Sequence, residues 1–127
     1  MPGLKGASIL LVEDVAIIAL EVADLLRDAG CKVVGPVGTL SDALAAVNRN
    51  SFDGAVIDVN LHGEKAFPIM EALERAALPF IIVTGYGRDQ LPRRFRHHTL
   101  IAKPFSEDEF LEGLAAALQL PPATTAA

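Results

Sequence analysis

One cysteine, no tryptophan and one tyrosine are the first absences in this 127-residue chain. With Cys31 alone, no intrachain disulfide can form, which fits a reducing compartment and an expected cytoplasmic location. Aromatic residues make up only 6%, yet apolar residues reach 51%. The core must therefore be built from Val, Ile, Leu and Ala, as in α/β layers whose strands are covered on both faces. Positive charge is scarce as well. The net charge is −5, so there is no basic surface to suggest a nucleic-acid partner. No apolar run reaches membrane-spanning length, and Met1-Pro2-Gly3-Leu4-Lys5 lacks a signal peptide's apolar core. Repeats are absent. The expected organisation is one domain over residues 1–120, long enough to bury its own core, and a flexible tail over 121–127. No effector domain is expected after Leu120.

What is present is an alternation of strand-like and helix-like segments. Ser8-Ile9-Leu10-Leu11-Val12 is a short apolar run ending in two acids. Val15, Ile18, Val22, Leu25, Leu26 and Ala29 then recur at helical steps until Gly30 stops them. Lys32-Val33-Val34-Gly35 reads as a second strand broken by Pro36. Leu40, Leu44 and Val47 mark a helix with Thr39 or Ser41 as its cap. Ala55 to Val59 is a third strand and Ala66 to Ala77 a third helix. Phe80 to Val83 and Leu100 to Ala102 are the last two strands. Ser106 and Glu109 have capping-box spacing at the start of the final helix. Between Gly87 and Thr99, four arginines and Pro92 predict a fourth helix that is short, irregular or begins at Pro92. Five such units imply a doubly wound parallel sheet with right-handed crossovers and helices on both faces.

In open sheets of this kind, ligands bind beyond the carboxyl ends of the strands. Glu13, Asp14, Asp58, Thr84 and Lys103 all fall there. Three carboxylates brought close together repel one another, and a divalent cation relieves the conflict. Oxygen-only ligands favour magnesium or manganese over zinc. Lys103 can pair with Asp58 or with a phosphoryl group, Thr84 can donate a hydrogen bond, and Gly85 leaves room for an approaching donor.

The motifs Ile9-Leu10-Leu11-Val12-Glu13-Asp14, Val56-Ile57-Asp58-Val59-Asn60-Leu61, Val83-Thr84-Gly85 and Lys103-Pro104-Phe105 occur in this order at strand ends. On them, the chain resembles a stand-alone response-regulator receiver domain of bacterial two-component or phosphorelay signalling, over roughly residues 7–118. The resemblance implies a flavodoxin-like fold with five strands in order 2-1-3-4-5 and five helices. It makes Asp58 the phosphoacceptor. Asp14, Asp58, Glu13 and the backbone carbonyl of Asn60 become the Mg2+ (or Mn2+) site, and Thr84 and Lys103 hold the phosphoryl oxygens. The expected donor is a phosphohistidine on a histidine kinase or histidine phosphotransfer protein. Output would pass to a protein target, with no nucleic acid and no membrane as partner. The domain is not an enzyme beyond its own phosphorylation and slow dephosphorylation.

Three features depart from the family pattern. Leu100 stands where receivers carry a switch aromatic, while Tyr86 follows Thr84-Gly85, partly resembling a Phe-Ala-Thr-Gly-x-Tyr subgroup. Tyr86 is therefore the candidate switch or gate. His62 stands where many receivers have proline, and reads as a solvated loop residue. The stretch from Arg88 to Arg96 suits either an acidic partner or plain solvation. His97 and His98 would point to opposite faces of a strand, which argues against a shared metal. Cys31 reads as inert packing. Among rival readings, a dinucleotide-binding half-domain needs a glycine-rich turn where Glu13-Asp14-Val15 stands. A haloacid-dehalogenase-type phosphatase needs an acid where Asn60 stands. The remaining alternative is a receiver-like interaction module that works without phosphorylation.

Overall fold

A computed structural model describes residues 4–85 and 91–119 of the chain. Its elements run β1 (Ser8–Val12), α1 (Ala16–Asp28), β2 (Lys32–Val37), α2 (Leu40–Arg49), β3 (Gly54–Asp58), β4 (Asn60–Leu61), β5 (Glu64–Lys65), α3 (Phe67–Arg75), β6 (Phe80–Thr84), β7 (Thr99–Ala102) and α4 (Glu107–Gln119). The main sheet is parallel, in order β2-β1-β3-β6-β7. Counted by sheet strand alone, this is the expected 2-1-3-4-5 arrangement. Sequence reasoning missed the antiparallel pair of β4 and β5, a tight hairpin directly after β3.

Strand alternation sends successive side chains to opposite faces, and the two faces build two cores. Leu10, Val12, Ile57, Phe80 and Ile82 pack with α2 and α3 through Ala43, Val47, Ile69 and Leu73. Ile9, Leu11, Val56, Ile81, Val83 and Ile101 pack with α1 and α4 through Val22, Leu26, Phe110 and Leu114. The central strands β3 and β6 are buried throughout. Cys31 is buried in the second core with Sγ 3.5 Å from the Leu4 carbonyl oxygen, as a packing residue should be.

Helix ends follow local chemistry. The Asp42 backbone N–H donates to Thr39 Oγ1 at 3.1 Å, so Thr39 rather than Ser41 caps α2. At α4 the capping box is reciprocal: Glu109 N–H donates to Ser106 Oγ at 3.0 Å, and Ser106 N–H donates to Glu109 Oε1 at 3.3 Å. Gly30, at φ +92°, takes the left-handed conformation that lets the chain leave α1 for β2.

Three expectations need correction. Among the described residues there are four α-helices rather than five, and Pro92 caps only a single 3-10 turn over Arg93–Phe95. Pro36 does not end β2, which continues to Val37 across a register shift opposite Leu10 and Val12. An edge strand tolerates proline because one row of its backbone groups has no strand partner. Val15 caps α1 from outside and is 43% exposed, so it does not belong to the inward face. The tail from residue 121 lies outside the described residues. Among the described residues, no helix is long and apolar enough to cross a membrane.

Leu73 is fully buried between α3 and the sheet. Leu73→Ala is expected to cost about 2–5 kcal/mol by cavity formation. Ser106→Ala, which removes the cap of α4, is expected to cost about 1 kcal/mol. Urea unfolding checks both, with the larger fall in midpoint for Leu73→Ala.

Candidate functional site

The parallel register sets the site. Val12 pairs with Ile57 and Asp58 with Val83, so the ends of β1, β3 and β6 lie level. Thr84 pairs with Ala102, and Lys103 N–H donates to the Thr84 carbonyl at 2.9 Å. Glu13 N–H donates to the Val37 carbonyl at 2.9 Å, which continues the β1–β2 ladder one residue beyond β1. Glu13, Asp14, Asp58, Thr84 and Lys103 therefore converge on one sheet edge, as the sequence suggests.

Glu13, Asp58 and Thr84 are the buried polar residues among those described, at 6%, 8% and 2% exposure. One carboxylate oxygen from each of Glu13, Asp14 and Asp58 lies within 4.8 Å of the others. Lys103 Nζ sits between two of them, 3.5 Å from Asp58 Oδ2 and 3.6 Å from Glu13 Oε1. One ammonium cannot neutralise three acids. Burial, followed by a hydrogen bond to Asp58, raises the Glu13 pKa from 4.5 to about 7, against the lowering pull of the Val15 N–H and Lys103. For Asp14 burial also acts to raise the pKa, but hydrogen bonds from the His62 and Asp14 backbone and from Glu13 outweigh it and hold the carboxyl below its ordinary value.

The β4–β5 hairpin explains how Asp14 is held. His62 and Gly63 form its tip, both in the left-handed region at φ 49° and 85°. That is the geometry of a two-residue hairpin turn; Asn, Asp and Gly usually lead it, and histidine is among the residues that tolerate the left-handed region. His62 N–H donates to Asp14 Oδ2 at 2.8 Å, and its Nδ1 lies 3.6 Å from the same oxygen. The His62 side chain is 66% exposed, as expected of a solvated loop residue, while its backbone N–H fixes one metal-candidate oxygen. A residue with a backbone N–H at the usual proline position was the available signal. Asn60 stands at the base of the hairpin and donates its N–H to Asp58 Oδ1 at 3.3 Å.

Among the described residues, a Cβ built on Gly85 meets nothing within 4 Å. Leu100 is partly buried and packs against the α2–α3 core, away from the acidic cluster. Tyr86 and Arg88 lie outside the described residues. Arg94 pairs with Glu71 and lies over the Phe95 ring, while Arg96 Nε donates to the Leu91 carbonyl at 2.8 Å. These arginines are engaged within the domain, beyond simple solvation.

The donor set fits a hard divalent cation: it is all-oxygen and negatively charged beyond what Lys103 balances, with Asp14 its partly exposed member. Mg2+ there would be held by Asp14 and Asp58, with Glu13 close by.

The raised Glu13 pKa has a defined sign. Between pH 4.5 and about 7, the folded state keeps a proton that the unfolded chain has released. The stability this group contributes is therefore full at low pH and lost as pH rises through about 7. Metal-free wild type is expected to lose stability relative to Glu13→Gln across that window. Added Mg2+ should restore most of it at the upper end. Calorimetric melting of both proteins from acid to neutral pH, with and without Mg2+, is the measurement.

The chain matches the response regulator receiver domain family over residues 9–115. It is 25% identical to the transcriptional regulatory protein PdtaR of Mycobacterium tuberculosis over 114 residues, covering 87% of this chain and 56% of that protein. It thus spans about half the length of that curated relative. The solution structure of SdrG from Sphingomonas melonis Fr1 is 40% identical, with a TM-score of 0.79 over 94% of this chain and 100% of SdrG. The receiver domain of PhyR from Erythrobacter litoralis is 25% identical, with a TM-score of 0.81 over 93% and 94% of the two chains. Receiver domains are signalling modules of two-component systems that bind Mg2+ at an acidic pocket, and this chain, with its level strand ends and its acidic cluster, belongs to the response regulator receiver family.

Proposed function

We propose that the protein is a phosphoacceptor: Asp58 receives a phosphoryl group from a phosphohistidine of a histidine kinase or phosphotransfer protein. The observation that carries this reading is the burial of Asp58 and Glu13 around Lys103, an arrangement with more negative charge than positive. In the transfer, the P–N bond to the donor imidazole breaks and a P–O bond to the Asp58 carboxylate forms. The electron pair of the broken bond stays with the imidazole nitrogen. Bound Mg2+ supplies charge neutralisation at the oxygens of the group in flight. Asp14, Glu13 and the Asn60 carbonyl are the residues that would hold it with Asp58. Lys103 neutralises a phosphoryl oxygen, and the Thr84 hydroxyl donates to another. Catalysis is then positioning plus electrostatics, with the acceptor an ordinary carboxylate.

The face beside the site suits a protein donor. Val15, Ile17 and Leu20 are 43%, 67% and 61% exposed where α1 leaves the acidic loop. Among the described residues, nothing stands within 4 Å of a Cβ placed on Gly85, beside Thr84. The product carries about −1.5 to −2 charge, by analogy with other phosphoresidues. That charge acts by biasing a two-state surface. Leu100 is aliphatic, so we assign the switch or gate role to Tyr86. We read residues 1–120 as the receiver domain, 121–127 as a tail, and the cytoplasm as its location. Output passes to a downstream protein.

Incubation with acetyl phosphate and Mg2+, followed by intact mass, should show one added phosphoryl group in wild type. Asp58→Asn or removal of Mg2+ by EDTA should abolish it. If neither acetyl phosphate nor a set of phosphorylated donor proteins modifies Asp58, the module acts through contacts alone. Tyr86→Ala should alter the lifetime of the phosphorylated form or its partner binding while leaving the fold intact. Unchanged lifetime and binding would remove Tyr86 from the switch.

A further inference from the structure

A second group of metal-competent side chains lies at the other end of the sheet. Strand β7 begins only at Thr99, and His97 and His98 precede it in the turn that follows the 3-10 segment. The alternation that would send two adjacent strand residues to opposite faces therefore does not apply. Their rings lie together, with centroids 4.0 Å apart. The His98 ring also packs on Phe80 at 4.2 Å, and its side chain is 18% exposed. Its Nε2 lies 2.6 Å from Glu74 Oε2, on the last turn of α3. One nitrogen of each histidine and one oxygen of Glu74 all lie within 4.8 Å of one another.

The turn is braced by its own backbone. Phe95 N–H donates to the Pro92 carbonyl at 2.9 Å, Arg96 N–H to Arg93 at 3.1 Å and His98 N–H to Phe95 at 3.2 Å. The two imidazoles are thus positioned by packing and backbone bonds, independently of any ion. Two imidazoles and a carboxylate form a mixed nitrogen–oxygen set, which suits zinc and similar borderline ions and is a poor match for magnesium. Burial also pushes the His98 imidazole below its ordinary value, against the raising pull of Glu74, which favours the neutral form a metal takes.

We propose that Glu74, His97 and His98 form a transition-metal site, distinct from the acidic cluster, that binds Zn2+ and ties the end of α3 to the turn before β7. The remaining coordination positions belong to water or to a partner's side chain. Glu74 gives up its hydrogen bond to His98 and both become ligands of the ion. The site needs no phosphoryl group and stands whether or not Asp58 is phosphorylated.

The test is a zinc titration of the full chain by calorimetry, with Mg2+ present in excess to occupy the acidic cluster. One zinc per chain is expected. His97→Ala and Glu74→Gln should each weaken it by roughly tenfold or more. His97 is exposed, so its replacement spares the core. His62→Ala, at the opposite edge, should leave zinc binding unchanged. A second readout uses the imidazole nitrogens: zinc should shift the NMR signals of His97 and His98 but not those of His62. Absence of saturable zinc binding, equal affinity in His97→Ala and Glu74→Gln, or loss of binding in His62→Ala would overturn the proposal.

Discussion

Two carboxylates are buried side by side at the end of the sheet, with one lysine to balance them. In water such a pair would cost little, but out of water the repulsion is several-fold larger. The fold holds them there through the parallel register, which fixes the heights of β1, β3 and β6 and leaves the strand ends no freedom to part. Burial beside Asp58 raises the Glu13 pKa to about 7, which favours a proton on that carboxyl over a second negative charge. A divalent cation among these oxygens would relieve the same repulsion. The conflict is local and the rest of the molecule is well satisfied. That contrast is what a site kept for function shows.

The two cores divide the labour. On one face α1 and α4 close over β1, β3, β6 and β7, leaving Ile17 and Leu20 outside. On the other, α2 and α3 pack with Leu91, Phe95 and Leu100 beneath the segment that leads into β7. Leu100 pairs with Ile82, and Lys103 lies three residues along the same strand direction. A shift of that segment is thus connected to the lysine through one short strand. The ring of Phe95, stacked on Phe67 at 5.7 Å, anchors it to α3.

Much of this was legible in the sequence because parallel strands write themselves as short apolar runs, and functional groups follow them directly. Glu13, Asp14, Asp58, Thr84 and Lys103 could be read from position alone. Thr39, Ser106 and Gly30 could be read from local capping chemistry. What escaped depends on contacts between distant segments. The hairpin tip at His62 has no apolar pattern, being two residues per strand. Strand β2 runs through Pro36 because its edge position, a tertiary fact, removes the need for that N–H. Val15 fits a helical period but stands just before the helix. Strand alternation would part the rings of His97 and His98, but both precede β7, in a turn whose conformation brings the rings together and leaves no periodic trace in the sequence.

The outer strand β2 has a consequence beyond the site. It is partly exposed along most of its length, starts at Lys32, and carries Gly35 at φ +99° followed by Pro36, which offers no N–H. Its register against β1 shifts at that point. A sheet edge of this kind is a poor template for another chain: it is kinked, interrupted in its donors and charged at one end. The β2 edge of the sheet is therefore guarded against pairing strand to strand with a second copy of the chain.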